Sequence, residues 1–163
     1  MLKNIDSFID KFFSGQPEIK GKHDKHHVNL ATACLLIEVM RSDHNISDIE
    51  LETIRTILKN SLALKENEVN ELIMLAEQQA DKLTSYHPFT TIINKNFSLE
   101  EKIKIMTNMW QVALSDNQLD RYEEHLIRKV AGLIYVPRDE LVASRRQACE
   151  NLGLDPAKQY RKI

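Results

Sequence analysis

Two short acidic junctions hold the residue types in this sequence that can do chemistry. The first contains Asp43 and Glu50, and the second contains Asp116 and Glu123. Both follow the pattern Ser-Asp-x-x-(Ile/Leu)-x-x-x-Glu. Carboxylate oxygens are the hard ligands that Ca²⁺ and Mg²⁺ prefer in proteins. The repeated pattern therefore makes these four carboxylates candidate ligands of a divalent cation.

The same junctions also predict helix starts, which is a purely structural alternative. Ser47 and Asp120 are good N-cap residues, and Glu50 and Glu123 lie three positions further on, where a capping box places its acid. An acid in the first turn also interacts favourably with the positive end of the helix dipole. Capping and cation binding therefore both remain open for the two glutamates.

The two aspartates have no equally simple structural explanation. Asp43 and Asp116 follow the predicted end of a helix, where the dipole disfavours negative charge. They can bond the amides of the next helix start, or they can bind a cation. Neither junction is an EF-hand, because the twelfth loop position is Ile54 or Ile127 where that loop needs Glu.

Other candidate groups carry weaker patterns. The histidines at positions 23, 26 and 27 can bind a transition metal, but their spacing matches no zinc motif. Glu124 and His125 can form an acid/base pair on a helix. The sequence has no glycine-rich phosphate loop, nucleophile elbow or HExxH motif. We therefore expect a chain that is not an enzyme.

Composition indicates a folded protein without a nucleic-acid partner. Of the 163 residues, 42% are hydrophobic and 28% are charged, and the formal net charge is -2. A DNA-binding surface usually needs a clustered excess of Lys and Arg. The mildly basic C-terminal stretch is interpreted as a solvated tail; it contains Arg145, Arg146, Lys158, Arg161 and Lys162.

Cysteine usage and hydropathy predict a soluble cytoplasmic protein. Cys34 lies in an apolar run and is expected to be a small buried hydrophobe, and neither it nor Cys149 belongs to a CxxC motif. The N-terminus has no signal-peptide pattern. The most apolar stretch, 28–40, is shorter than the roughly 20 residues that a membrane span needs.

Hydrophobic periodicity predicts an all-α protein with about eight helices and no sustained strand alternation. One of these helices opens at a capping box, Ser98 with Glu101, and its apolar stripe comprises Leu99, Ile103, Met106, Trp110 and Ala113. The helix predicted at 120–134 has its inward positions at Tyr122, Leu126, Ile127 and Val130. The other predicted helices span residues 2–13, 28–41, 47–60, 65–83, 88–96, 120–134 and 137–150.

An internal match at an offset of 73 residues predicts a duplication. Residues 39–50 align with 112–123 at this offset, and each copy contains a buried helix, a Ser-Asp junction and a second capped helix. Two such units usually pack around a pseudo-twofold axis. We expect an N-terminal helix and linker at 1–27, one duplicated domain at 28–150 and a C-terminal tail at 151–163.

These segments resemble the TerB family of tellurite-resistance-associated proteins, especially its stand-alone bacterial branch. The resemblance covers about 28–146 and is strongest in the second half. Four segments carry it: Leu35–Val39 leading to Asp43, Phe97–Lys102, Trp110–Ala113 with Asp116, and Glu123–Ala131. It implies paired helical units, a link to tellurite and chemical-stress resistance, and metal binding by the acidic junctions.

The resemblance also implies protein interaction, because the wider family includes the TerB-like domain of a membrane-tethered co-chaperone; it implies no enzymatic reaction. This chain has His44-Asn45 and Asn117-Gln118 where the family usually has Gly-Glu. That change removes two carboxylates and lowers the expected cation affinity, although Asn and His tolerate the left-handed backbone that glycine favours.

The main hypothesis is a stress-associated binding module that works through protein partners and can bind a divalent cation. The alternative is a purely structural adaptor or a co-chaperone-type protein-interaction domain with no metal, which would bind through an exposed apolar patch beside the basic tail.

Overall fold

The computed structural model describes residues 25–41, 47–77 and 86–160, without the side chains of 25–27, 38–41, 75–77 and 88. These ranges contain seven α-helices and no β-strand. The helices are α1 (Lys25–Arg41), α2 (Asp48–Asn60), α3 (Glu66–Glu77), α4 (His87–Asn96), α5 (Leu99–Leu114), α6 (Arg121–Leu133) and α7 (Arg138–Leu152). The predicted all-α class is confirmed. The predicted helix at 2–13 lies outside the described residues.

Helix α1 is the central element, as its almost continuous apolar sequence predicts. Every side chain from 30 to 37 is buried, and α1 contacts α2, α3, α4, α5 and α6. The buried hydroxyl of Thr32 donates a hydrogen bond of 3.0 Å to the carbonyl of Val28, so it is satisfied within the helix. The helix begins at Lys25, three residues before the predicted start.

Local capping chemistry sets several helix boundaries. Ser98 and Glu101 form the predicted capping box at the start of α5. Helix α7 ends at Gly153, whose φ of 72° lies in the left-handed region that favours glycine. The amides of Gly153 and Leu154 donate to the carbonyls of Glu150 and Cys149, which is a Schellman motif. This motif reverses the chain and directs residues 154–160 back toward the bundle.

Two residues predicted to face the core are exposed. Leu99 is the first residue of α5, and the buried face of that helix begins only at Ile105. Tyr122 is 69% exposed because Glu123 occupies the inward position in the first turn of α6. The remaining apolar positions of α6 that were predicted to be internal, including Leu126 and Val130, are buried.

Helices α5 and α7 share the largest helix–helix contact of the described bundle. Helices α2 and α3 also pack against each other, whereas α6 and α7 barely touch. The 13-residue helices α2 and α6 begin 73 positions apart, which matches the predicted offset. Because the packing partners differ between the two halves, the duplication itself stays a prediction. Within the described ranges, no helix has the length and hydropathy needed to span a membrane.

Candidate functional site

The first junction is a capped helix start in the part that the structure describes. The amide of Glu50 donates to Ser47 Oγ at 3.1 Å, and the Ser47 hydroxyl donates to Glu50 Oε1 at 3.3 Å. Glu50 is only 2% exposed. These bonds confirm Ser47 as the N-cap of α2 and make Glu50 its bonded partner. Asp43 lies outside the described residues.

The second junction places both of its aspartates in backbone-capping roles. Asp120 Oδ1 accepts hydrogen bonds from the amides of Tyr122 at 2.7 Å and Glu123 at 3.4 Å, which confirms its N-cap role. Asp116 Oδ1 accepts from the amide of Gln118 at 3.0 Å, in an Asx turn. Between them Asn117 has a φ of 64°, so asparagine adopts the left-handed conformation here. Asp116 therefore has a local structural role after the end of α5.

Cation ligation by the junctions remains a prediction. Glu123 is 1% exposed, which makes it the buried counterpart of Glu50. In the ranges that the structure covers, no three His, Cys, Asp or Glu side chains come close enough to hold a metal ion. Asp43 and the side chains of His26 and His27 are outside that search.

The side chains of Glu124 and His125, the predicted acid/base pair, have different surroundings. Glu124 accepts a 2.7 Å hydrogen bond from Arg128 Nη2 and lines a groove on the protein surface. His125 is exposed and is not part of the groove lining. Of the two, only Glu124 therefore lines this groove.

The groove beside Glu124 is a cavity of about 610 Å³ between α6, α7 and the C-terminal segment 154–160, and we call it the α6–α7 groove. Its apolar lining includes Trp110, Leu119, Ala131, Val136, Leu141 and Val142. Its charged lining comprises Glu124, Arg128, Arg138, Arg145 and Arg146. An apolar interior with a few charged groups at its edge is typical of a ligand or partner site.

The groove exists because α7 packs on α5 and leaves a gap beside α6. Gly132 forms part of the α6 wall, and a Cβ placed there would meet no atom within 4 Å outside its own helix backbone. Pro156 and Gln159 of the C-terminal segment form part of the lining as well. The space is thus bounded by three consecutive chain segments, to which Trp110 of α5 and Leu119 of the second junction add earlier parts of the chain.

The C-terminal segment 154–160 is hydrogen-bonded to the bundle, although most of its side chains are exposed. Arg145 donates to the carbonyl of Pro156 at 3.2 Å and to that of Lys158 at 2.9 Å. Tyr160 packs on the core and its carbonyl accepts a hydrogen bond from the amide of Leu119. An Arg guanidinium can hold two carbonyls because its donors form a rigid fork.

The charged lining contains two arginines that are available to a ligand. Arg128 is paired with Glu124, and Arg145 is bonded to the C-terminal segment. Among the described residues, Arg138 and Arg146 make no ion pair or side-chain hydrogen bond with another residue. The apolar lining holds one further unpaired group, because the buried Nε1 of Trp110 has no hydrogen-bond partner.

A comparison with protein families identifies the fold family. The model for tellurite resistance protein TerB matches residues 29–158. This chain belongs to the TerB family. The TerB match includes both junctions and every groove-lining residue except Gln159. No curated protein and no solved structure shows a significant match to the chain.

Sequence reasoning found the junctions of this TerB domain but missed the groove. The available signal was a set of arginines at helical spacing around an apolar residue: Arg138, Val142 and Arg146 are each four positions apart and share one face of α7. A glycine inside α6, Gly132, was the other signal. Neither pattern indicates a groove until the position of the C-terminal segment is known.

Proposed function

We propose that this TerB-family chain is a binding module that acts through a protein partner docked in the α6–α7 groove, without a reaction of its own. The observation that carries the proposal is the cavity of about 610 Å³, with its apolar lining and arginine edge. A groove of this character provides both the buried contact and the orienting charges that recognition needs. A role in tellurite or chemical-stress resistance is proposed from family membership.

Exposed apolar side chains near the groove support this proposal. Val142 lines the groove and is exposed, and Leu133 and Tyr135 are exposed at the turn between α6 and α7. Apolar side chains that are grouped on a surface often mark an interaction site. A partner that covered the groove could bury Val142 together with the apolar lining.

Site-specific photo-crosslinking in cells tests the proposal. A photoreactive amino acid at Val142 should form crosslinks with a defined partner, because this side chain lies in the proposed interface. The same amino acid at Met74, which is exposed on α3, is the control. Gly132→Leu should abolish the Val142 crosslink by filling the groove. Equal crosslinking from Val142 and Met74, or no effect of Gly132→Leu, would contradict the proposal.

A second candidate function is cation binding at the two junctions. It is favoured by the repetition of a buried carboxylate, Glu50 and Glu123, at equivalent positions of the two junctions. Residues Asp43 and Asp116 would complete the proposed ligand set. This candidate does not require the α6–α7 groove.

An NMR titration with Ca²⁺, Mg²⁺, Mn²⁺ and Zn²⁺ tests the cation hypothesis. Cation binding predicts saturable shifts or broadening at the Asp43 and Asp116 amides. Asp43→Asn combined with Asp116→Asn should remove that response while circular dichroism shows unchanged helical content. No response at millimolar cation, or unfolding of the double variant, would leave these aspartates with structural roles alone.

A further inference from the structure

We propose that the occupant of the α6–α7 groove is an acidic amphipathic segment of a partner protein. Its apolar side chain enters the cavity and its carboxylates pair with Arg138 and Arg146. This inference rests on the proposed function and adds the chemistry of the partner. The charge of the groove and the order of residues along α7 carry it.

The charge of the groove is complementary to carboxylates. Arg138 and Arg146 line the groove and have no partner among the described residues, whereas Arg128 and Arg145 are already engaged. A guanidinium binds a carboxylate through two parallel N–H···O bonds, which fixes both position and orientation. The groove therefore offers two such sites to a ligand.

The order of residues along α7 specifies an amphipathic ligand. Arg138, Val142 and Arg146 present basic, apolar and basic side chains in turn along one wall of the groove. Trp110 and Leu141 add further apolar surface to the lining of the cavity. The complementary ligand has an apolar anchor between two acids, as on one face of a short helix.

An acidic protein segment fits this surface better than a nucleic acid does. The one aromatic residue of the groove lining, Trp110, is 3% exposed, so its ring offers no platform for stacking bases. Glu124 lies on the groove lining, Asp139 and Glu140 lie in the first turn of α7, and the chain has a net charge of -2. Two separate arginines can each pair with one carboxylate, whereas a phosphate backbone needs an extended basic surface, which these acids interrupt.

Gly132 provides a matched pair of variants for testing occupancy. Gly132→Ala adds a methyl group in open space and should leave most of the groove empty. Gly132→Leu adds a branched side chain from the same wall and should block entry. Both changes replace glycine by a better helix former, so loss of binding in the leucine variant alone reports on the groove.

The fluorescence of Trp110 provides a direct binding assay, because it is the one tryptophan of the chain and it lines the groove. The full chain is titrated with a capped peptide of about twelve residues, in which two leucines at i and i+4 are flanked by glutamates. Matched peptides carry lysine or glutamine in place of the glutamates. A single-stranded oligonucleotide is the nucleic-acid probe.

We expect saturable binding of the glutamate peptide that weakens with added salt and is at least about tenfold tighter than that of the glutamine peptide, a difference of about 1.4 kcal/mol. Gly132→Leu should abolish binding and Gly132→Ala should retain it. Arg138→Glu combined with Arg146→Glu should reverse the preference to the lysine peptide. Circular dichroism checks that each variant is folded.

Several outcomes would overturn the inference. Equal affinity for the glutamate and glutamine peptides would contradict the inference that the partner is acidic. The proposed protein-binding function would not be affected by that result. Binding of no peptide to the wild-type chain would reject the inference, and the Val142 crosslink would decide the proposed function separately. Binding of the oligonucleotide more tightly than the glutamate peptide would indicate that the ligand of the groove is a nucleic acid and not a protein. Self-association that Gly132→Leu abolishes would assign the groove to a second copy.

Discussion

At the scale of single residues, the second junction shows how one carboxylate can satisfy two backbone amides. Asp120 Oδ1 accepts from the amides of Tyr122 and Glu123, which lie in the first turn of α6 and lack an intrahelical acceptor. Asp116 has a similar local role for Gln118. The acids of this junction can therefore be tested through stability, independently of any cation.

Replacing Asp120 by alanine should lower the free energy of unfolding by about 0.5 to 2 kcal/mol, because it removes the N-cap of α6. Urea denaturation of the wild-type and variant proteins measures the change. Asp120→Ser keeps a capping oxygen and should recover most of the loss. If serine were as destabilising as alanine, the carboxylate would be needed for something other than capping.

Because the thiol of Cys149 is buried, we expect the free energy of unfolding to fall at alkaline pH. Burial raises the pKa of its thiol, because desolvation disfavours the thiolate. The unfolded chain ionises this thiol near its ordinary pKa of about 8.5 while the folded chain keeps it protonated. The stabilising contribution is therefore present below that pH and is lost as pH rises through the folded pKa.

Urea denaturation at about pH 7 and about pH 10 measures this effect, and Cys149→Ala is the control. The fall in unfolding free energy between the two conditions should be smaller in the variant than in the wild-type protein. An identical fall in both proteins would show that Cys149 does not contribute to the pH dependence.

At the scale of helices, α6 carries a glycine that its fold does not require. Gly132 lies in the last turn of the helix, does not have a positive φ, and leaves room for a side chain. Glycine at such a position costs conformational entropy without giving a packing advantage. We attribute the glycine at this position to the groove, which stays open because no side chain enters it from Gly132.

Gly132→Ala should therefore raise the free energy of unfolding by about 0.5 to 1 kcal/mol. Thermal and urea denaturation measure the change. A loss of stability would mean that the open space at Gly132 is needed by the fold, and the glycine would then say nothing about a ligand.

Helix ends were predictable from sequence where a local rule sets them. Ser98 with Glu101 and Asp120 gave the correct starts of α5 and α6, because capping involves residues only two or three positions apart. Tyr122 was predicted wrongly because periodicity does not show which residue of a first turn faces the core. The groove depends on contacts between Arg145 and Pro156 and between Leu119 and Tyr160, and no local pattern reveals those distances.

At the scale of the whole molecule, residues 154–160 connect α7 to the junction before α6. Arg145 holds the segment through two carbonyls, and Leu119 is bonded to its far end. The hydroxyl of Tyr160 also accepts a 2.8 Å hydrogen bond from the amide of Asp155. These contacts join the second junction, α7 and the groove into one structural unit.

Variants of the adjacent residues Arg145 and Arg146 distinguish the anchoring of the C-terminal segment from the binding of a ligand. Arg145→Ala should lower the free energy of unfolding by about 1 to 3 kcal/mol, because two charge-assisted hydrogen bonds are lost. Arg146→Ala should change it by less than about 0.5 kcal/mol, because Arg146 has no partner in the described structure. Urea denaturation measures both. Equal losses would show that the C-terminal segment is not anchored by Arg145.

The anchoring of residues 154–160 also has a consequence for the order of folding on the ribosome. The ribosome synthesises the second junction and α6 well before Tyr160, whose carbonyl accepts a hydrogen bond from the amide of Leu119. While Tyr160 is still in the exit tunnel, that amide and the neighbouring apolar surface remain exposed to water and to chaperones. The nascent second half is therefore incomplete until its last anchor emerges, and a translational pause shortly before residue 160 would prolong that vulnerable state.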